Sequence, residues 1–450
     1  MSYKKIGLLA LTLFVIPGCS FTSSAESSEV ESEYIMNITN DDVADFVDSP
    51  VTIKFWNPIT GPDAGNLQNL VKFWNDTYGD YIRIANDPLA ENDHYTRIFT
   101  SFSDNSTADL TLIHSSRVPV FQRANRLRPM TSMLSKVGIS SDQYLESIWN
   151  ANVYGEDVYA LAWDIIPTVF YYNRHLIPEG YTEEMIHSDD FTIEDMEEMM
   201  KLAYVHSPVL TKRTYGMSFN YAFTENPFIS LLYQGGGKPV DESAPTVPTF
   251  NGPEGYAAAE ALRSIPFTSN ADGIKVTSES GSNHLNIFAQ GRALFTIDGL
   301  WSTNSLVLNN DKVDTGVAFL PKVNDNATRC TYGDSHVFAT FTNKNQSEHK
   351  DEAIGLVIKF LVDNSLEWYK GGKVAVRNAD INNETYKALP WAFVSQKLDK
   401  VVLPQKLYTF STICNTTGEY ISKLCEGTLT DVQDALDKCA SDAKDLAENL

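Results

Sequence analysis

The chain has 450 residues, 43% of them hydrophobic, enough for a large core divided into two or three domains. Its formal charge of −23 repels phosphate backbones, so nucleic acid is excluded as a partner. Apart from the N-terminal run, charged or polar residues interrupt every apolar stretch before it reaches the roughly 20 residues a membrane span needs.

The chain opens on "MSYKK", a dozen apolar residues, and then "IPGCS". A positive start before a short apolar run has the anatomy of a secretory signal. Ile16-Pro17-Gly18-Cys19 resembles a bacterial lipoprotein signal, in which the cysteine thiol takes lipid and becomes the new N-terminus; Pro17 departs from the usual small or aliphatic residue. The expectation is a signal over 1–19, a lipid anchor at Cys19 and a flexible Ser/Glu-rich tether over 20–49.

From Val51 to His114 strand and helix alternate: "VTIKFW", "DAGNLQNLVKFWNDTY", "YIRIA", "HYTRIFTSF", "DLTLIH". That order implies a parallel sheet covered on both faces. Two extended runs follow around Pro167. "FTIEDMEEMMKLAYVH" then opens a second α/β stretch, with Thr192 as helix N-cap and Asp195 three positions on. "NPFISLLYQ" reads as a helix stopped by Gly235–Gly237. "HLNIFAQGRALFTIDGLW" reads helix, Gly stop, strand; "DTGVAFLP" and "SHVFATF" are strands; "SEHKDEAIGLVIKFLVDN" is an amphipathic helix; and the C-terminal end is helical.

Catalytic signatures are absent. There is no H-E-x-x-H, G-x-S-x-G, P-loop or G-x-G-x-x-G, and the eight histidines are scattered. With 58 acidic residues, any chosen carboxylate pair is uninformative about glycoside hydrolysis. Cys330, Cys414, Cys425 and Cys439 show no metal-ligand spacing. Cys414 and Cys425 share one predicted helix, which separates them by about 16 Å and forbids a disulfide. No metal and no cofactor are expected.

Three stretches carry a resemblance: "VFYYNRHLIPEGY" with "FTIEDMEEMMKLA"; "LLYQGGGKPVDESAPTVPTFNGPEGYAAAEAL"; and "FAQGRALFTIDGLW" with "GVAFLPK" and "AIGLVIKFL". In order and spacing the chain resembles the family 1 extracellular solute-binding proteins, the sugar-receptor lipoproteins of ABC importers. The resemblance implies a two-lobed α/β fold of the periplasmic-binding-protein type (class II), with crossover segments at a hinge and a sugar or oligosaccharide in the cleft. It also implies delivery to an ABC permease and its ATPase, a monomer, and a place outside the cytoplasmic membrane. The expected lobes are 50–164 with 297–341, and 165–296 with 342–450.

A sugar presents apolar C–H faces and a rim of hydroxyls, so it is held by flat aromatic rings beside directional polar groups. The chain sets such groups at strand or helix ends, where open α/β folds bind ligands. The candidates are Trp56 and Asn57 after the first strand, Trp163 and Asp164 before the first crossover, and Asp298 and Trp301 at the second. Tyr233 with Gln234 either binds ligand or closes a helix; Ser115, with Ser116, either binds or begins a turn; Tyr332 and Asp334 precede a crossover strand. Trp74 and Trp149 are assigned to the core, Arg377 and His336 to structural roles, and Trp368 and Trp391 stay open. Two rivals remain: a surface lipoprotein enzyme acting on glycans, and a receptor for a non-sugar solute such as a polyamine, the latter favoured if carboxylates dominate the cleft.

Overall fold

The structure, a computed structural model, describes residues 34–35, 37–279, 283–308 and 310–450. The signal, Cys19 and the first part of the tether lie outside the described residues. From Ile35 to Leu450 the chain forms one compact unit, built on two sheets.

The first sheet has the order β2-β1-β3-β13-β6. Strand β1 (Val51–Asn57) lies parallel to β2 (Ile82–Pro88) and β3 (Leu110–His114). Next to β3 the sheet turns antiparallel, through β13 (His336–Ala339) and then β6 (Ala160–Ala162). A small hairpin, β4 (Val153–Tyr154) with β5 (Asp157–Val158), precedes β6. The helix Ala64–Tyr78 buries Leu67, Leu70, Val71 and Trp74, the three-and-four spacing of one helical face.

The second sheet centres on β7 (Ile166–Asn173), whose residues are all buried. One edge of β7 pairs with β10 (Ala293–Gly299), which leads to β8 (Tyr215–Phe219) and β9 (Thr277–Glu279). Its other edge pairs with β11 (Thr315–Ala318) and β12 (Thr331–Asp334), and β12 with β14 (Val401–Val402). Every residue of β7 and β10 is buried, polar ones included, as in strands covered on both faces. The helix Ile193–Ala203 starts with the expected capping box: Thr192 accepts from the Asp195 backbone N–H while Asp195 accepts from that of Thr192. Gly235 caps the helix Glu225–Gln234, as the triple glycine implied.

The lobe boundaries differ from those expected. Ile297 lies inside β10, which stays paired with β7 through Gly299. The chain then turns back through 300–308 to β11 in the same sheet, and the return to the first sheet comes at Ser335. The segment 342–391 also changes sides: helix Glu348–Asp363 packs on β1, and helix Ser365–Tyr369 on helix Ala64–Tyr78. Amphipathic periodicity marks the buried face of such a helix without naming the sheet it covers. The helices Phe410–Glu426 and Val432–Glu448 pack in the core of the second lobe. Sheet membership and helix packing put 35–164 with 335–391 in lobe 1 and 165–334 with 401–450 in lobe 2. The segment 392–400 reaches lobe 2 through Phe393 against His187 and Phe319 and through Lys400 with Asp189.

The later part of the expected tether is packed. Ile38, Val43 and Phe46 are buried, Tyr78 donates to the Ile38 carbonyl at 2.7 Å, and Phe46 stacks on His349 with centroids 4.5 Å apart. These apolar residues, with hydrogen bonds between Ile35 and Asn364, hold the stretch on lobe 1 despite the acidic residues among them.

Candidate functional site

The lobes are joined where Trp163–Ile165 runs beside Ser335. Here Asp164, buried, accepts at Oδ1 from the His336 backbone N–H (2.7 Å) and at Oδ2 from His336 Nδ1 (2.8 Å) and Trp368 Nε1 (2.7 Å). Burial works to raise the Asp164 carboxyl, but His336 and the more distant Lys373 outweigh it and hold the group below its ordinary value. Trp163 stacks on Trp368 at 4.6 Å between ring centroids and donates from Nε1 to Ser365 Oγ at 2.8 Å. This is a hinge core with its polar groups internally paired. Trp163 and Asp164, expected in the cleft, are therefore corrected to hinge residues: partners distant in sequence fill their surroundings and leave no face open.

Beside the hinge, a cavity of about 270 Å³ is lined by both lobes. Lobe 1 contributes His114 at the end of β3, the turn residues Ser116 and Arg117, and Glu91 from the first turn of helix Glu91–Ser101. Lobe 2 contributes Phe223, Glu225 and Asn226 after β8, Trp301 after β10, Tyr332 and Asp334 from β12, and Phe410, Ser411, Cys414 and Asn415 from helix Phe410–Glu426. The ends of β3, β8 and β10 thus converge on one space, as expected of ligand sites in open α/β sheets. A larger cavity, about 500 Å³, opens between Arg128, Lys136 and Glu348 on lobe 1 alone. Its basic residues are already paired, Arg128 with Asp351 and Lys136 with Glu348 and Glu352, and it offers no means of coupling binding to lobe closure.

Trp301 is half-exposed in the cavity, edge-to-face with Phe223 at 5.6 Å between centroids. Its ring lies against Gly299, where a Cβ would come within 2.1 Å of it. Asn415 bridges the lobes. With its amide oriented to satisfy both ends, it donates to Glu225 Oε1 (3.0 Å) and the Ser411 carbonyl (3.0 Å) and accepts from Arg117 of lobe 1 (2.8 Å). The Arg117 guanidinium also sits over the Tyr95 ring at 4.7 Å. Burial, then the charge of Glu91, push the Glu225 carboxyl up to about 8; Arg117 opposes this and Asp334 adds to it. Burial likewise depresses His114, which lies 3.9 Å from Glu91 and accepts or donates at Nδ1 with the Tyr95 hydroxyl (2.8 Å).

Of the residues expected from sequence, Trp301, Tyr332 and Asp334 come together here. The others do not. Trp56 is buried under the Arg97 guanidinium, 4.1 Å from its ring, and Asn57 is bonded to Asn86 (2.7 Å) and the Ile59 N–H (3.1 Å). Gln234 is a buried tie to Pro321, Val323 and Cys330, and Tyr233 packs at the edge of the lobe 2 core. Asp298 is buried against His284 (2.7 Å) and the Gly299 N–H (2.7 Å). Ser115 lines a separate cavity of about 210 Å³ with Pro404 and Lys406. For Asn57, Gln234 and Asp298 nearby backbone or side-chain groups use the polar capacity that the sequence offered a ligand; the Tyr233 hydroxyl is buried in lobe 2 away from this cavity. Trp74 is core as assigned, Trp149 is only half-buried, and Trp368 and Trp391 are fully buried. Glu91, Arg117, Phe223, Glu225 and Asn415 had no signal beyond following strand ends or lying on amphipathic helices.

A family model described as bacterial extracellular solute-binding protein matches residues 62–365. No curated protein matches the sequence. Among solved structures, maltose-bound MalE3 of T. maritima aligns with a TM-score of 0.70 at 20% identity, covering 88% of this chain and 99% of its own. The MalE domain of Bdellovibrio bacteriovorus bound to maltotriose aligns at 0.71 and 18% identity, covering 89% and 99%. UgpB of Mycobacterium tuberculosis, in complex with glycerophosphocholine, aligns at 0.70 and 15% identity, covering 89% and 99%. These likenesses establish the two-lobed fold.

Proposed function

This chain belongs to the bacterial extracellular solute-binding proteins, and we propose that it captures a sugar or oligosaccharide between its lobes and delivers it to an ABC permease. One observation carries the sugar reading. The two-lobe cavity presents the hydroxyls of Ser116, Tyr332 and Ser411, none with a hydrogen-bond partner among the described residues, beside the half-exposed ring of Trp301. A polyhydroxylated ligand supplies the missing partners, and its apolar face suits the indole. The solved structures of this fold that hold maltose and maltotriose support the same reading.

Ligand that touches both lobes binds the closed form better than the open one, and that difference in affinity drives closure. Contacts across the cleft assist it: Arg117 with Asn415, the Arg123 guanidinium over Tyr408 at 3.6 Å, and Lys406 Nζ with the Asn150 carbonyl at 3.3 Å. The protein acts as a monomeric binder, without turnover, and its closed form is what the permease and its ATPase recognise. No helix among the described residues is long and apolar enough to cross a membrane; lipid on Cys19 keeps the protein at the membrane surface. Cys19→Ser should then abolish fatty-acid labelling, and unchanged labelling removes the anchor from this account. Calorimetric titration with a panel of neutral and amino sugars tests capture itself. Binding of no sugar overturns the reading, and hydrolysis of a bound oligosaccharide replaces it with an enzymatic one.

A further inference from the structure

The cavity holds more negative charge than a neutral sugar requires. Glu91, Glu225 and Asp334 all line it, and Arg117 is the lysine or arginine among its lining residues. Arg117 is engaged by Asn415 and by the Tyr95 ring. His114 is depressed by burial and supplies no compensating charge at neutral pH. On Asp334 both protein donors, the N–H groups of Ser116 (3.2 Å) and Ser335 (2.7 Å), go to Oδ1 and leave Oδ2 free. On Glu225 the Asn415 amide serves Oε1 and leaves Oε2 free. The rings of Trp301 and Phe223, edge to face, line the same cavity. Aromatic faces beside uncompensated carboxylates form the surroundings that bind ammonium groups, by charge and by the ring quadrupole together.

The hydroxyls point to a ligand independently of the acids. Tyr332 is 6% exposed, Ser411 4% and Ser116 8%, yet each hydroxyl faces this space without a partner among the described residues. A free polyamine would satisfy the carboxylates but offers few acceptors to these hydroxyls. A neutral sugar would satisfy the hydroxyls and leave Asp334 without a counter-charge, with Glu225 keeping the proton that burial holds on it. An arriving ammonium group would release that proton and pair with both acids.

We infer that the solute is a carbohydrate carrying a protonated amino group, its ammonium set between Glu225 and Asp334 and its ring against Trp301. This rests on the sugar reading of the same cavity and narrows it. Glu91, more exposed at the rim, adds attraction at longer range, as does the acidic surface as a whole.

The test is calorimetric titration at about pH 6.5, where sugar amines are protonated. The ligands are matched pairs: glucosamine against glucose, galactosamine against galactose, and β-1,4-linked glucosamine dimers against their N-acetylated forms, with spermidine as the sugar-free cation. The amino member of at least one pair should bind at least about tenfold more tightly than its partner. Asp334→Asn and Glu225→Gln should each bring that ratio toward one. Thermal unfolding of each variant confirms folding, and the rim variant Glu91→Gln gives a milder version of the same shift. Equal or reversed preference in every pair overturns this inference and leaves the sugar reading intact. Preference that persists undiminished in the folded Asp334 and Glu225 variants also overturns it. Binding of spermidine alone, or of nothing in the panel, overturns both.

Discussion

Trp163 and Trp301 each follow a strand that ends at the junction of the lobes, and each stands near an aspartate in sequence. Their surroundings have little in common. Trp163 is enclosed by Trp368, Phe338 and Ser365, with Asp164 beside it fully bonded to His336 and Trp368. Trp301 leans on Gly299 and Phe223 and leaves part of its ring open to the cavity. What separates them is the supply of partners from remote chain. The segment 365–373 returns to the hinge and seals the first tryptophan, whereas the second faces lobe 1 across a gap. An aromatic beside an acid marks a junction in sequence; burial decides whether it acts as a pivot or a platform.

Removing each ring should separate the two roles. Trp163→Ala leaves a large void against Trp368 and removes the indole donor to Ser365 Oγ, so it should cost about 3–5 kcal/mol of stability, read by denaturant unfolding. If it leaves stability intact and weakens binding alone, the hinge assignment fails. Trp301→Ala should weaken ligand binding by about 2–4 kcal/mol, read by calorimetry, while the ligand-free melting temperature changes little. A collapsed melting temperature with unchanged affinity would make Trp301 another core residue. Gly299→Ala is a subtler probe. Its methyl group would displace the Trp301 ring without removing it, which should cost about 1–3 kcal/mol, shared between folding and affinity.

Local chemistry made much of the fold legible. The Thr192–Asp195 box, the glycines after Gln234 and the apolar spacing of helix Ala64–Tyr78 each act over a few residues, and sequence displays such signals directly. The lobe boundaries failed because β10 reads as a crossover strand, while its pairing with β7 depends on residues more than a hundred positions away. The site was less legible still. Asp164 looked available because His336 and Trp368, which bond it, lie 172 and 204 positions on. Asn415 and Glu225 looked like the solvated face of amphipathic helices. Only the docking of helix Phe410–Glu426 on helix Glu225–Gln234, which itself packs on β12, brings those faces to the cavity shared with lobe 1. Tyr332 and Asp334 came through because a short strand before a crossover has to end near the cleft, whichever sheet it belongs to.

The smallest effect concerns charge, and it contrasts hinge with cleft through two carboxylates. Asp164 is completely buried yet held low, because His336 and the more distant Lys373 outweigh the burial. Glu225 is half-buried yet pushed up to about 8, because burial and the charges of Glu91 and Asp334 outweigh Arg117. A carboxyl held low in the folded state adds stability above its unfolded pKa and loses it as pH falls, so Asp164 supports the fold at neutral pH. A carboxyl raised in the folded state does the reverse. As pH climbs from about 4.5 to about 8, the unfolded chain releases the Glu225 proton while the folded chain retains it, and stability declines. Glu225→Gln, which keeps the shape and cannot ionise, should therefore stabilise the ligand-free protein by about 1–2 kcal/mol at pH 8, the figure being modest because solvent screens a half-buried group. At pH 4.5 the gain should vanish. Asp164→Asn should destabilise at pH 8, and its penalty should shrink as the medium becomes acidic. Melting temperatures of the three proteins across pH 4.5 to 8.5 decide the matter. If the Glu225 variant shows no gain that grows with pH, the carboxylates of the cleft do not oppose one another, and the contrast with the hinge is lost.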